Sequence, residues 1–430
     1  MRRGPFAWLA VGQFTSGVGD GFYAVALPWL VLTGGGGAAE LGAVVACYGV
    51  TRAAGLWAGG WLADRRGSAQ IMMVADTARF VLTLALGLFA LHSHPGLPVL
   101  IPFALLQGAF GGAFTPASNA IMPSLVPEDE LGSGNSAYTL AVQLSGLIGP
   151  AVGGAVVAVA GSAPAFIADA ASYAISAGSL VMMRRGTAPG GEPESPDEPE
   201  RQADSDAASA APGVPEVSFR TVLRSGRLLH AFLLAAFLLN LFFAGTVEVA
   251  LPDLAHQTFG SGGYGVVLTA LSAGAVLGAF FTRVPWARDR PTLRVAGLTA
   301  IMGLALGLLP FSGGLAGAAV CMAVVGAADT ASGIDIVSMM QVWAPRALLA
   351  RVMSVIMFGV VGLFPVSVAV TGLIVRGIGP KAFFPVAGIV TALAVAALFA
   401  SPAVRHYRQG DRFMDTFEPG AATAGTGTAC

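Results

Sequence analysis

Long apolar runs are the feature of this sequence that most constrains its fold. Twelve such runs follow one another with short polar breaks, and a helix needs roughly 20 apolar residues to cross a bilayer. Charged residues make up only 11% of the chain, less than half of the roughly 25% usual in soluble proteins. The chain therefore predicts an all-α membrane protein with twelve transmembrane helices. The predicted spans are residues 7–32, 41–62, 71–92, 98–122, 138–160, 164–183, 229–251, 264–284, 293–311, 314–338, 353–375 and 380–400.

One long polar segment separates the first six runs from the last six. It is dense in proline and acidic residues, a composition that predicts a disordered linker. We therefore predict four regions, whose boundaries are the two ends of this segment and the end of the last apolar run. These are an N-terminal six-helix bundle (1–186), an acidic, proline-rich cytoplasmic linker (187–224), a C-terminal six-helix bundle (225–404) and a cytoplasmic tail (405–430).

The basic residues predict how the helices are oriented. Nineteen of the 23 lie on one side of the predicted topology, including Arg3, Arg65 and Arg185, and we call this side the predicted cytoplasmic face. Arg376 and Lys381 lie on the opposite side, the predicted outer face. Because short cytoplasmic loops carry an excess of Lys and Arg, we expect a multi-pass protein of the cell (inner or plasma) membrane with both termini in the cytoplasm.

The two halves of the chain resemble each other. Residues 26–30 read A-L-P-W-L and residues 250–254 read A-L-P-D-L, while Gln107-Gly108 falls opposite Val325-Gly326. These matches keep their order at offsets of 218 to 224 residues. Transporters built from such parallel repeats bind substrate at the repeat interface, near the middle of the membrane.

The loop after the second run carries a recognisable motif. Residues 59–67 read G-G-W-L-A-D-R-R-G, which resembles the G-x-x-x-D-R-x-G signature of the major facilitator superfamily. The resemblance implies the major facilitator fold and a cytoplasmic gate at Gly60, Asp64, Arg65 and Gly67 that latches the outward-facing state. Gly60 is expected to let a neighbouring helix approach, Asp64 to accept hydrogen bonds from a helix N-terminus, and Arg65 to pair with acids.

The fifth run carries a second motif. Gly149, Pro150, Gly153 and Gly154 resemble the G-P-x-x-G-G core found in exporters that exchange substrate for protons. Proline removes a backbone donor and kinks a helix, and glycines four residues apart form a close-packing face. A glycine-rich helix with a packing role alone is the alternative interpretation.

Further segments resemble the enterobactin-exporter and macrolide-efflux branch of the superfamily. One motif of many proton-coupled drug exporters is incomplete, because R-x-x-Q-G in the fourth span retains only Gln107-Gly108, with Ala104 where the arginine would stand. The segments that carry the resemblance are Gly19-Asp20-Gly21, Asp76 with Arg79, residues 114–117, residues 123–127 with Asn135, and Gln341, Pro345 and residues 351–354.

Charged residues inside the spans are candidates for transport and proton coupling. Each costs roughly 2.5 to 3.5 kcal/mol at mid-membrane on insertion scales and so needs a partner or a cavity. Asp20 and Arg52 have similar predicted depths, and we predict a pair between them, either as a shared site for substrate or proton or as a structural pair. Asp329 could hold a proton, face a cationic substrate, or simply pack. Asp335 is predicted to pair with Arg351 at the cytoplasmic gate.

Four other charged residues are assigned local roles. Asp76 and Arg79 lie three residues apart on one helical face and are expected to form a structural pair. Asp169 and Glu248 are expected to be solvated acids near the outer ends of their spans, although Glu248 could also meet substrate.

The predicted function is secondary active transport. We expect export of a medium-sized amphipathic small molecule, such as a siderophore, macrolide, drug or secondary metabolite, by proton antiport with alternating access and as a monomer. Lys381, the single lysine, follows Pro380, so no Walker A motif exists, and hydrolase motifs are also missing. No enzyme activity, cofactor, metal or nucleic acid is expected. A proton-coupled importer and a non-transporting receptor with the same fold are the alternatives.

Overall fold

The structure is a computed structural model that describes most of the chain. The described residues are 3–127, 130–186, 227–281, 290–344, 348–349, 351–353, 362–400, 404–405 and 407. The predicted linker (187–224) and nearly all of the predicted tail (405–430) lie outside them, as do residues 354–361 of the eleventh predicted span.

The first half of the chain folds into helices at each predicted span. Gly67, with φ of +83°, joins two of them into a tight hairpin, because this left-handed conformation is costly for a residue with a Cβ atom. The helices are α1 (Arg3–Thr33), α2 (Ala38–Arg66), α3 (Ser68–Ala90), α4 (Leu97–Ala120), the short α5 (Met122–Leu125), α6 (Leu131–Ala160) and α7 (Ser162–Gly186).

The described part of the second half is also helical, with two short irregular turns. The helices are α8 (Arg227–Gly245), α9 (Leu251–Thr258), α10 (Gly260–Phe281), α11 (Pro291–Leu308), α12 (Leu315–Trp343), α13 (Phe364–Ile378) and α14 (Pro380–Ala400). A π-helical turn, Thr246–Ala250, joins α8 to α9, and a 3-10 turn, Leu309–Phe311, extends α11. The amide of Gly245 donates to Ser367 Oγ of α13 at 2.9 Å, which disturbs the regular helical ladder just before the π turn.

Ten of the described helices are long and apolar enough to cross a membrane, and α13 is a shorter apolar helix of 15 residues. Large apolar side chains point outward, with Trp57 86% and Val159 90% exposed. Such exposure is costly in water and is natural where lipid is the solvent. The protein is therefore a multi-pass membrane protein with about ten apolar helices.

The packing of the helices repeats between the halves. In the first half, α1 packs on α6 and α7, α2 packs on α4, and α3 packs on α4 and α7. In the second half, α8 packs on α13 and α14, α10 packs on α12, and α11 packs on α12 and α14. Each pair in the first set has its counterpart in the second in the same chain order, which agrees with the repeat read from the sequence.

The two sets of helices meet near the predicted outer face. There α2 packs on α13 and α6 packs on α10, with glycines at both crossings: a Cβ atom at Gly42 would lie 2.7 Å from the carbonyl oxygen of Val368. Trp29 of α1 meets His256 of α9 edge to face at 5.1 Å. Buried Val25, Leu251 and other apolar side chains of both sets form one continuous core in this region.

Enlarging a glycine at the α6–α10 crossing tests whether the packing between the two sets of helices keeps the predicted outer face closed. A Cβ atom at Gly154 would lie 2.8 Å from both Gly265 Cα and the carbonyl oxygen of Ser261. Overpacking costs about 1–3 kcal/mol, so Gly154→Leu should shift the conformational equilibrium about 5- to 150-fold away from outer closure. Labelling of Ala24→Cys by an impermeant maleimide added from the predicted outer face should rise, with the three native cysteines replaced.

Gly146→Leu is the matched control in the same helix, because nothing lies within 4 Å of a Cβ atom there. It should leave the labelling unchanged. Equal labelling in the two leucine variants would show that the glycine crossing does not hold the outer face closed.

Candidate functional site

A cavity of about 480 Å³ with both polar and apolar lining residues lies among the helices. Its lining runs from Leu27 and Pro28 in the outer part of α1 towards the predicted cytoplasmic face. There Gln13 of α1, Asn119 of α4 and Tyr138 of α6 contribute. The first set of helices supplies most of the lining, while Glu248 and Phe364 come from the second set. A cavity of this size at the meeting of two repeats can hold a drug-sized molecule.

Two glycines set the position of Asp20 on this cavity. A Cβ atom at Gly19 would lie 2.5 Å from Asp169 Oδ1, and one at Gly21 would lie 2.5 Å from Gly149 Cα. The two glycines therefore let α1 approach α7 on one side and α6 on the other. Asp20, between them, turns a half-exposed side chain (50%) into the cavity.

Asp20 is held by Arg79 and Tyr173. Its Oδ1 accepts hydrogen bonds from Arg79 Nη2 at 2.5 Å and from the Tyr173 hydroxyl at 2.6 Å. The Arg79 guanidinium also donates to the Tyr173 hydroxyl and lies 4.1 Å from the centre of its ring. Gln107 Nε2 donates to the same hydroxyl at 3.3 Å. Charge-assisted hydrogen bonds of this kind are stronger than neutral ones.

The predicted pair between Asp20 and Arg52 is wrong, because Asp20 forms its ion pair with Arg79. Arg52 lines the same cavity, as its predicted depth implied, but its guanidinium lies 5.8 Å from the centre of the Tyr48 ring. Within the described part of the chain Arg52 makes no ion pair.

Arg79 lies beside the incomplete motif of the fourth span. Ala104 stands where the resemblance would place an arginine beside Gln107. In the structure a guanidinium does lie next to Gln107, through Tyr173, but it comes from α3. An arginine is therefore present near Gln107, although it belongs to α3 and not to α4.

Two further carboxylates lie behind the cavity lining, and both differ from their predicted roles. Asp76 is fully buried and accepts a hydrogen bond from Ser176 of α7 at 2.6 Å rather than from Arg79. Asp169 is fully buried as well, not solvated, and its Oδ1 accepts from Ser172 at 3.5 Å. Arg79 acts electrostatically on both groups, so one cation serves three acids.

The fifth-span motif connects this site to the second set of helices. Gly149 and Gly153 face α1, because Cβ atoms there would lie 2.8 Å from the Val18 carbonyl oxygen and 2.8 Å from Phe22 Cα. Gly154 faces Gly265 of α10, and the Pro150 carbonyl lies against the same residue. The close-packing face predicted for the motif is present and continues across to α10.

The predicted gate residues make few contacts with one another in this conformation. Gly67 forms the α2–α3 hairpin described above, and Arg65 stacks 3.9 Å from the centre of the Trp61 ring. Asp64 is exposed and forms no ion pair among the described residues. Gly60 is not the point of close approach, since a Cβ atom there has its nearest neighbour at 3.9 Å; Gly59 instead packs on α4.

Asp335 pairs with a different arginine from the one predicted. Both of its carboxylate oxygens accept hydrogen bonds from Arg294 of α11, whereas Arg351 is exposed and not its partner. Asp335 is buried, and the bidentate geometry satisfies both oxygens. This pair therefore fastens α11 to α12 within the second set of helices.

The remaining two acids differ in their surroundings. Asp329 is exposed near the middle of α12 but is not among the residues that line this cavity. Glu248, predicted to be a solvated rim acid, lines the cavity from the π-helical turn and is only partly exposed.

Comparison with known proteins decides the family. The sequence pattern of the Major Facilitator Superfamily matches residues 9–342. The chain belongs to the Major Facilitator Superfamily. It is therefore a membrane transporter for small molecules and not an enzyme, as the sequence predicted.

Two curated members of the superfamily are similar over most of their length. The multidrug efflux pump Tap of Mycolicibacterium fortuitum is 26% identical over 386 residues, which cover 87% of this chain and 89% of Tap. The enterobactin exporter EntS of Shigella flexneri is 26% identical over 348 residues, covering 81% of this chain and 79% of EntS.

Solved structures of other transporters share the fold at low identity. The nucleoside transporter NupG superposes with a TM-score of 0.70 at 13% identity, covering 93% of this chain and 100% of NupG. A bacterial homologue of the iron transporter ferroportin in an inward-facing state gives a TM-score of 0.67 at 14% identity, covering 92% and 98%. These likenesses establish the fold.

Tyr173 is the main residue of the Asp20 site that the sequence analysis did not identify. A signal for it existed: Asp169, Ser172, Tyr173 and Ser176 lie at positions i, i+3, i+4 and i+7 of an otherwise apolar helix. This spacing puts a polar stripe on one helical face, and the stripe faces Asp20, Arg79 and Asp76.

Removing the arginine alone should be worse for stability than removing both charges of the pair. Arg79→Gln leaves Asp20 beside two buried acids without a cation, and loss of a charged hydrogen bond costs about 1.5–3 kcal/mol. The double variant Asp20→Asn/Arg79→Gln removes the unpaired charge and should recover part of this loss.

Unfolding of the purified protein by SDS titration measures the two effects. We expect a coupling free energy of about 0.5–3 kcal/mol between the two substitutions. Strictly additive effects would mean that Asp20 and Arg79 do not stabilise each other.

Proposed function

We propose that this superfamily transporter exports a medium-sized amphipathic small molecule across the plasma membrane by proton antiport. Asp20 is the residue that exchanges protons, and Arg79 and Tyr173 hold its ionised form. The protein has twelve spans arranged as two six-helix bundles, with the acidic linker and both termini in the cytoplasm.

The packing of the helices supports two bundles of six. α1 has 31 residues, enough for a further span beyond the ten counted above. α13 (Phe364–Ile378) overlaps the outer part of the eleventh predicted span, 353–375. The five helix pairs of the first half recur in the second, as parallel repeats require.

The direction in which the cavity extends supports an inward-facing conformation. The two sets of helices meet at the predicted outer face, and the cavity lining continues towards the predicted cytoplasmic face. Alternating access would then open the α2–α13 and α6–α10 crossings while the opposite ends approach. Asp64 and Arg65 form no ion pair among the described residues. This fits the interpretation, since the gate they are expected to form latches the opposite, outward-facing state.

The half exposure of Asp20 is the observation that carries the proposal of proton coupling. A carboxylate that is paired from behind and open to a cavity in front can be reached by a proton or by substrate. Protonation removes the charge that neutralises Arg79 and so raises the free energy of that arrangement. Binding at Asp20 and the packing of α1, α3 and α7 are thereby coupled.

Export of an amphipathic compound is supported by the relatives and by the cavity lining. The two relatives are named a multidrug efflux pump and an enterobactin exporter. Aromatic Tyr23, Tyr48 and Phe114 line the cavity together with amides and charged groups, a mixture that suits a siderophore, macrolide or other secondary metabolite with apolar and polar parts.

Neutralising Asp20 should separate substrate movement from the proton gradient. We expect Asp20→Asn to abolish dye uptake driven by a pH gradient into inside-out vesicles, while exchange of dye without a gradient persists. Glu40→Gln, which neutralises an exposed acid at the start of α2 outside the cavity, should behave as wild type. Full gradient-driven uptake by Asp20→Asn would exclude Asp20 as the proton-exchanging group.

Accumulation of a fluorescent amphipathic dye in intact cells distinguishes the alternatives. Expression of an exporter lowers the accumulation, and expression of a proton-coupled importer raises it. A non-transporting receptor changes nothing. We expect the accumulation to fall, and a rise or no change across a chemically varied panel of dyes would contradict export.

A further inference from the structure

Arg52 presents to the cavity a cation that forms no salt bridge with a described acid, although it interacts electrostatically with Glu248 of the second set of helices. It lies midway along α2 and is exposed, while its guanidinium packs over the Tyr48 ring. Stacking of this kind occupies the face of the guanidinium and leaves the N–H groups at its edge available. Arg79, in contrast, is committed to Asp20 and Tyr173. Because an unpaired charge at this depth is costly, Arg52 calls for a functional explanation.

Glu248 presents the opposite charge from the other set of helices. It belongs to the π-helical turn Thr246–Ala250, lines the cavity and makes no hydrogen bond or ion pair with a described residue. π-helical turns occur frequently at functional sites. The irregular turn that carries Glu248 begins directly after Gly245, whose amide donates a hydrogen bond to Ser367 Oγ.

The cavity lining therefore has one available charge of each sign. The charge of Asp20 is balanced by Arg79, so Arg52 and Glu248 remain, one on each side of the interface between the two sets of helices. These two groups act on each other electrostatically but form no salt bridge. A singly charged ligand would leave one of them unpaired, which is costly in a site of low dielectric constant.

We propose that the cavity selects zwitterionic substrates, binding the anionic group at Arg52 and the cationic group at Glu248. The aromatic side chains of Tyr23, Tyr48 and Phe364 contact the apolar body of the substrate. Binding at both points joins the two sets of helices. This inference rests on the proposed function, since it names the substrate class of the same cavity.

Three xanthene dyes that differ mainly in charge provide the test. Rhodamine B is a zwitterion, its ethyl ester is a cation, and fluorescein is an anion. Their binding to the purified full-length protein in nanodiscs is measured by fluorescence anisotropy. We expect the wild type to bind rhodamine B more tightly than the other two dyes, by about tenfold or more, as for a charged hydrogen bond.

Each neutralising variant should affect one group of the zwitterion. Arg52→Gln should weaken rhodamine B binding about tenfold or more and tighten binding of the ester, because the cation that repels the ester is gone. Glu248→Gln should weaken rhodamine B and the ester but not fluorescein. Arg376→Gln, at an exposed position on α13 away from the cavity, is the control and should leave all three affinities unchanged.

The inference is tested by dye binding alone and does not require that the protein transports the dye. If the wild type does not bind rhodamine B more tightly than both singly charged dyes, or if both neutralising variants keep that preference, the cavity does not select zwitterions. Gradient-driven dye uptake into inside-out vesicles is measured separately. Selective binding without uptake would contradict the proposed function alone, and uptake without selectivity would contradict this inference alone.

Discussion

The ion pair between Asp20 and Arg79 is the contact on which the organisation of the first set of helices depends. A guanidinium in the middle of a membrane needs an anion close by, and α1 supplies it only because Gly19 and Gly21 let α1 lie against α7 and α6 at once. Tyr173 completes the arrangement from α7. One electrostatic requirement therefore fixes where three helices approach one another and which side chain faces the cavity.

The same contacts connect the charge pair to the interface between the two sets of helices. Gly149 packs beside Asp20 on α1, and Gly154, in the same motif, packs on Gly265 of α10. Cores and interfaces with such close contacts switch between discrete arrangements rather than deform continuously. In the proposed cycle a change of charge at Asp20 alters the fit of α1 on α6 and thereby the crossing that closes the predicted outer face.

The sequence predicted the elements of this structure better than its contacts. Apolar runs gave the positions of the helices, because the membrane requires long apolar segments, and the glycine motif gave its packing face. The predicted contacts between charged residues were wrong, because Asp20, Asp335 and Asp76 all bind partners other than those predicted. Depth along a helix can be counted from sequence, but the side of the helix that meets a neighbour depends on tertiary packing. Tyr173 was missed for that reason.

Proton release on substrate binding tests the central claim most directly. Purified protein in weakly buffered detergent solution is mixed with a dye that it transports, and a pH indicator reports released protons. If substrate binding and protonation of Asp20 exclude each other, the wild type releases protons in proportion to bound dye, and Asp20→Asn binds dye without release. Saturable dye binding by the wild type with no proton release at any pH would contradict the account.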